Sequence, residues 1–232
     1  MIFSLGHRGA AGVQPENTLK GFRYALNLVI DAVECDVHLT RDDHLVVIHD
    51  DTVDRTTNGS GAVRNMRLAQ LRRLDAGQGE RIPTLDEVLD LVIGRAKLFC
   101  ELKGEGVVDA VVDTVLAQKA QEKVIFISAV FGRLERVRQR GDHFTIGTIA
   151  GEGQLADFER SAEIGAFGVG VHYKNICLKM VDQARALGLG IRAWNPDTLW
   201  EQQAMVGLRI DGIGTNRPDI LVPYLRIMNA FL

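Results

Sequence analysis

Residues 32–40 read AVECDVHLT, and the alternation within them decides the architecture. Side chains alternate across a strand, so Val33, Cys35 and Val37 take one face while Glu34, Asp36 and His38 share the other. An apolar face of that kind packs against helices in a parallel barrel, which leaves the two carboxylates pointing into the barrel mouth. The rest of the chain has the matching rhythm. Short apolar, β-branched runs begin near Ile2, Ala32, Lys97, Val124, Phe144, Phe167, Gly190 and Asp211. Amphipathic stretches such as NTLKGFRYALNLV, TLDEVLDLVI and LKMVDQARALG lie between them, the pattern of a parallel sheet with helical crossovers. Eight such units predict an α/β fold, a closed (β/α)8 TIM barrel.

One stretch breaks the repeat. The strand ending in DVHLT is followed by RDDH and then LVVIHD, which reads as a hairpin. The segment DDTVDRTTNGSGAV after it is rich in Asp, Thr, Gly and Asn and reads as a loop over one mouth, so a small insertion is predicted over about 41–80. Asn17, just after Pro15, is the expected N-cap of the first helix, and Thr84 with Glu87 forms a capping-box pattern. The final ILVPYLRIMNAFL is expected to close the outer ring of helices. No linker or sustained charge run divides residues 1–232, so a single domain is expected.

With 46% hydrophobic residues the chain can bury one sizeable core, and a formal net charge of −3 gives no polycationic surface for nucleic acid. Cys35, Cys100 and Cys177 are odd in number and form no CxxC pair, which argues against a disulfide framework or structural zinc and fits a reducing cytoplasm. The opening MIFSLGHRG has no charged leader, and no apolar run reaches the length of a membrane span, so a soluble, unprocessed chain without membrane insertion is expected.

Functional side chains of such barrels gather at the carboxyl ends of the strands. The first strand ends in Gly6-His7-Arg8-Gly9, a titratable base beside a fixed positive charge. In KLFCELK, Glu101 and Lys103 share a face. Glu34, Asp36 and Glu101 therefore form an all-oxygen cluster suited to Mg²⁺ or Ca²⁺. The alternative is a metal-free network in which Arg8 and Lys103 neutralise the acids. His49 ends the hairpin's second strand and can reach the same mouth as His7. Two imidazoles flanking a metal-held phosphodiester would supply a base and an acid, with Arg8 and Lys103 on the non-bridging oxygens.

These residues resemble the glycerophosphodiester phosphodiesterases, in particular the small bacterial cytoplasmic type. The likeness is carried by HRGAAGVQPENTLKGFRYAL, ECDVHLTRDDHLVVIHDDTVDRTTNGSGAV, RIPTLDEVLDLV, FCELK, IRAWN and DGIGTNRPD, in the family's order along essentially the whole chain. It implies a (β/α)8 barrel that hydrolyses glycerophosphodiesters to glycerol 3-phosphate and an alcohol with a divalent cation. By position, it implies that His7 and His49 are the catalytic histidines and that Glu34, Asp36 and Glu101 are metal ligands. Arg8 and Lys103 match phosphate-contacting positions, Glu16 matches a family residue that also orders its loop, and Trp194 matches an aromatic wall for the glycerol or alcohol group.

Departures fall at Asp31, where Gly is usual, at SAVF from Ser128, and at two sites near the mouth. There AWNPDT replaces the commoner tryptophan-threonine-valine-asparagine run, and Asn216 replaces a commoner aspartate. His38 is expected as a solvated hairpin residue and His172 as an exposed loop residue. A phospholipase acting on lipid phosphodiesters and a non-hydrolysing phosphate-binding barrel stay open as readings, as do a homo-oligomer and the choice of nucleophile.

Overall fold

The computed structural model describes residues 2–230. In chain order its elements are β1 (Phe3–Gly6), α1 (Leu19–Asn27), β2 (Ala32–Leu39), β3 (Leu45–Val47), α2 (Leu68–Leu71), α3 (Leu85–Val92) and β4 (Lys97–Leu102). They continue with α4 (Val107–Ala117), β5 (Val124–Ser128), α5 (Phe131–Arg140), β6 (Thr145–Ile149), α6 (Leu155–Glu163) and β7 (Gly168–His172). The last are α7 (Leu178–Ala186), β8 (Gly190–Trp194), α8 (Leu199–Gly207), β9 (Gly212–Thr215) and α9 (Pro218–Ala230). All strands but β3 pair in parallel, and β1 pairs with both β2 and β9, closing an eight-stranded barrel inside a ring of helices. Strand starts lie within one residue of those read from the sequence.

Closure follows from the two-faced strands. Val33, Cys35 and Val37 of β2 and Leu98, Cys100 and Leu102 of β4 are buried in the layer between barrel and helices. The inward side splits by height. Leu5, Ala32, Phe99, Ile125 and Ile127 fill the lower barrel, with Phe3 stacked on Phe99 at 5.8 Å. Burying a side chain such as Phe99 contributes about 2–3 kcal/mol. Beside these residues, the β2–β4 register sets Glu34 against Phe99 and Asp36 against Glu101, so the polar layer starts on β2 one inward step before it starts on β4. Asp31 ties the base of the barrel, its Oδ2 accepting from Ser4 N at 2.8 Å and Ser4 Oγ at 2.7 Å.

The hairpin forms as predicted, with β3 antiparallel to β2 and Val46 opposite His38. The segment beyond β3 is more than a loop. Val46, Ile48, Val53, Val63, Leu71, Ala76 and Ile82 make a small core of their own beside the barrel. Ile48 N donates to Asp36 O at 3.0 Å, which clamps the chain leading into His49 against β2.

Thr84 and Glu87 form the expected capping box on α3. The first helix corrects the sequence reading, because Thr18 and not Asn17 is its N-cap. Thr18 has extended backbone and its hydroxyl accepts from Gly21 N, whereas Asn17 sits at φ 55° with its amide committed to Asp36. Leu221, Val222 and Leu225 bury α9 against the barrel, closing the ring as expected; the last two residues of the quoted segment lie outside the described residues. Among the described residues, no helix is long and apolar enough to cross a membrane.

Candidate active site

Three carboxylates meet at the top of β2 and β4. Glu34, Asp36 and Glu101 each place an oxygen within 4.8 Å of the others. Arg8 N donates to Glu34 Oε2 at 2.9 Å, and Asn17 Nδ2 donates to Asp36 Oδ2 at 2.8 Å. Glu34 Oε1 and Asp36 Oδ1 remain buried without a hydrogen-bond partner. Burial and the neighbouring Asp36 and Glu101 charges push the Glu34 carboxyl well above the usual carboxylate range. Burial and Asp36 lift Glu101 to about 7. Buried oxygens that repel one another and lack donors fit a hard divalent cation, which accepts oxygen ligands and removes the repulsion.

The two expected counter-cations only partly neutralise the cluster. Lys103 Nζ lies 3.6 Å from Glu101 Oε1, and Arg8 Nε lies 3.4 Å from Asp36 Oδ2. Arg8 also donates from Nη1 to Glu16 Oε1 at 2.8 Å. Glu16 in turn accepts both terminal nitrogens of Arg55 at 2.8 Å, and does not line the mouth cavity. Burial raises the Glu16 carboxyl, but Arg55 and Arg8 outweigh that effect and hold it at about 2. Its carboxylate thus ties the loop after β1 to Arg55 of the insertion. Gly9, at φ 81°, lets this turn press on α1, where a Cβ would meet Gly21 C at 2.8 Å.

His7 and His49 stand on opposite flanks. His7 Nδ1 is 2.7 Å from Asn216 Oδ1, and its Nε2 is 3.9 Å from Glu34 Oε2. Burial, with the Arg8 charge, lowers the imidazole pKa to about 4 against the raising effect of the Asn216 hydrogen bond. His49 Nδ1 donates to Asp50 Oδ1 at 2.6 Å, and Lys103 Nζ lies 3.0 Å from its Nε2. Asp50 is also held by Arg55 Nε at 2.7 Å. His38 corrects its sequence reading. It is buried, and its Nε2 donates to His49 O at 3.1 Å, bracing the backbone of the second imidazole.

A cavity of about 330 Å³ opens between the flanks, lined among others by His7, Arg8, His49, Lys103 and Trp194. Trp194 ends β8 on this wall, and His172, half-buried rather than exposed, meets its ring edge-on at 4.9 Å. Sequence reading missed Arg192, which also lines the cavity and is 8% exposed. Its guanidinium lies 5.2 Å over the Phe99 ring, and burial lowers it to about 10 despite Glu34 and Glu101. Gly170 makes the room, since a Cβ there would lie 2.7 Å from Arg192 Nη2. The signal was available, because Arg192 shares the inward face of Trp194 in IRAWN.

Known proteins resemble this chain along nearly its whole length. A glycerophosphodiester phosphodiesterase of Caldanaerobacter subterraneus subsp. tengcongensis is 34% identical, with 96% of this chain and 97% of that protein covered. Among solved structures, a phosphodiesterase of Oleispira antarctica, in complex with the product sn-glycerol-3-phosphate, superposes with a TM-score of 0.92 at 27% identity, covering 97% of this chain and 96% of that one. A glycerophosphodiester phosphodiesterase of Agrobacterium tumefaciens gives 0.83 at 26% identity, covering 96% of this chain and 100% of that one. Residues 7–220 match the glycerophosphoryl diester phosphodiesterase family from the first mouth histidine to the last helix. The chain belongs to that family.

Proposed function

We propose that the protein hydrolyses glycerophosphodiesters to glycerol 3-phosphate and an alcohol, using a divalent cation and an imidazole on each side of the phosphate. One observation carries this reading: buried, partnerless carboxylate oxygens converge in a cavity flanked by two histidines. Glu34, Asp36 and Glu101 would hold Mg²⁺ or Ca²⁺, which when bound supplies electrophilic polarisation of the phosphoryl oxygens.

The remaining roles fall to the chain's own side chains. Arg8, Lys103 and Arg192 line the cavity and give its phosphate-sized centre a positive surround. His7, kept neutral by burial, presents Nε2 as the base that takes a proton from the attacking hydroxyl. His49 is oriented at Nδ1 by the Asp50 carboxylate; its Nε2, which faces the Lys103 ammonium, becomes the acid site for the leaving alkoxide when Lys103 turns to the phosphate. Trp194 forms a wall for the glycerol or alcohol group. The attacking hydroxyl belongs to the substrate's glycerol or to water, and a transient cyclic phosphate distinguishes the two.

The bound sn-glycerol-3-phosphate of the Oleispira neighbour supports this product class. Glycerol 3-phosphate release from glycerophosphocholine and glycerophosphoethanolamine, with and without chelator, tests the proposal. Release that requires the cation is expected. A protein that binds these compounds without cleaving them would instead be a phosphate-binding barrel, and cleavage confined to lipid phosphodiesters would indicate a phospholipase.

A further inference from the structure

Asp197 takes no part in the cavity lining, yet it holds three donors. Its Oδ1 accepts from Asn216 N at 2.8 Å and Thr215 Oγ1 at 2.9 Å, and its Oδ2 accepts from Asn216 Nδ2 at 2.7 Å. The carboxylate is itself fixed, because Asp197 N donates to Glu201 Oε2 at 3.0 Å within the capping box that opens α8. A chain of forced choices begins there. A carboxylate only accepts, so the Asn216 atom facing Asp197 is the amide nitrogen, and its oxygen must face His7. That oxygen also only accepts, so His7 Nδ1, 2.7 Å away, must carry hydrogen. Nε2 is then left bare, on the side of the acid cluster.

Asn195 places its amide nitrogen 3.2 Å from the same Nδ1, but no carboxylate pins it and its Oδ1 is buried without a partner. Turning that amide lets it accept from the same Nδ1 hydrogen; it does not oppose the tautomer. We infer that Asp197, acting through Asn216, is a positioning residue that fixes His7 in the Nδ1–H tautomer and so makes Nε2 its reactive nitrogen. The inference rests on the reading of His7 as a base. It also assigns the two groups their places: the acceptor-only carboxylate stands at 197, and the amide, with both a donor and an acceptor, at 216. With aspartate at both positions two carboxylates would meet at a 2.7 Å contact, and with asparagine at both nothing would fix either amide.

The test compares wild type with Asp197→Asn, Asn216→Asp and the double exchange. Two readouts are taken: ¹⁵N spectra of the histidine ring nitrogens in metal-free protein, and kcat and KM for glycerophosphocholine with Mg²⁺. Wild type is expected to show His7 protonated at Nδ1. Asp197→Asn is expected to mix the tautomers and lower kcat on the order of tenfold to a hundredfold, with KM changed less than about twofold. The double exchange is expected to restore both the spectrum and kcat, since the carboxylate it places at position 216 would accept directly from Nδ1–H. Asn216→Leu, which cuts the chain without adding charge, serves if either single variant fails to fold. An unchanged His7 spectrum in Asp197→Asn and Asn216→Leu, or a double exchange no better than the single variants, overturns the inference. If wild type releases no glycerol 3-phosphate, the hydrolase reading fails instead, and the spectra still decide the tautomer.

Discussion

The two flanks of the mouth hold their histidines by opposite means. On the β1–β9 flank, His7 meets a neutral amide, and the carboxylate of Asp197 stands one residue further back. On the hairpin flank, His49 meets the Asp50 carboxylate directly, and Arg55 bridges Asp50 to Glu16. The rings themselves are similarly exposed, at 21% and 28%, and the difference lies in what surrounds them. The first flank is built from the ends of barrel strands, where the Asp197 charge is matched by three donors and reaches His7 only through the Asn216 amide. The second is built by the insertion, where Arg55 is 48% exposed and Asp50 28%, so full charges stay partly hydrated. The Arg55 and His49 hydrogen bonds hold the Asp50 carboxyl well below the usual range. In the proposed reaction this asymmetry would let one imidazole act as base and the other as acid.

Removing either side should break the comparison outright. His7→Ala and His49→Ala are each expected to lower kcat by about 10³-fold, with an unchanged circular dichroism spectrum, because neither side chain fills the core. Asp50→Asn should act on one flank alone, lowering kcat about tenfold by loosening the orientation of the His49 ring; steady-state kinetics would read this. Arg55→Ala, which leaves Asp50 in place, is expected to cost only about twofold to threefold in the same assay, as partly exposed ion pairs contribute little.

The smallest effect is on stability, and it sharpens the contrast between the acid cluster and its surroundings. In cation-free protein Glu34 and Glu101 favour their protonated forms, with Glu101 raised to about 7. Their contribution to stability is therefore present below the ordinary carboxylate range and lost as pH rises through about 7. Thermal unfolding with chelator should show Tm falling by a few degrees between about pH 5 and about pH 8. Excess Mg²⁺ or Ca²⁺ should raise Tm more at the higher pH, because binding must displace those protons.

Local pattern made the fold and the acid cluster legible. Alternation in AVECDVHLT set both faces of β2, and VVIHD announced the hairpin strand that carries His49. Partnerships across the chain were not legible that way. Asn17 looks like a cap because asparagine commonly is one, yet Asp36 claims its amide from 19 residues away. His38 looks solvated beside the charged RDDH turn, yet the insertion folds back over it with a core that its polar sequence conceals. Asn216 lies 209 residues from His7, and only barrel closure brings them together.

The most direct test is a Mg²⁺ titration of chelator-treated protein, counting bound ions by calorimetry while following glycerol 3-phosphate release from glycerophosphoethanolamine. Release should rise from background in step with binding at the acid cluster, and Glu34→Gln should lose both together. Release at full rate by the chelated protein, or by Glu34→Gln without bound ion, would contradict the assignment of Glu34, Asp36 and Glu101 as the cation site on which turnover depends.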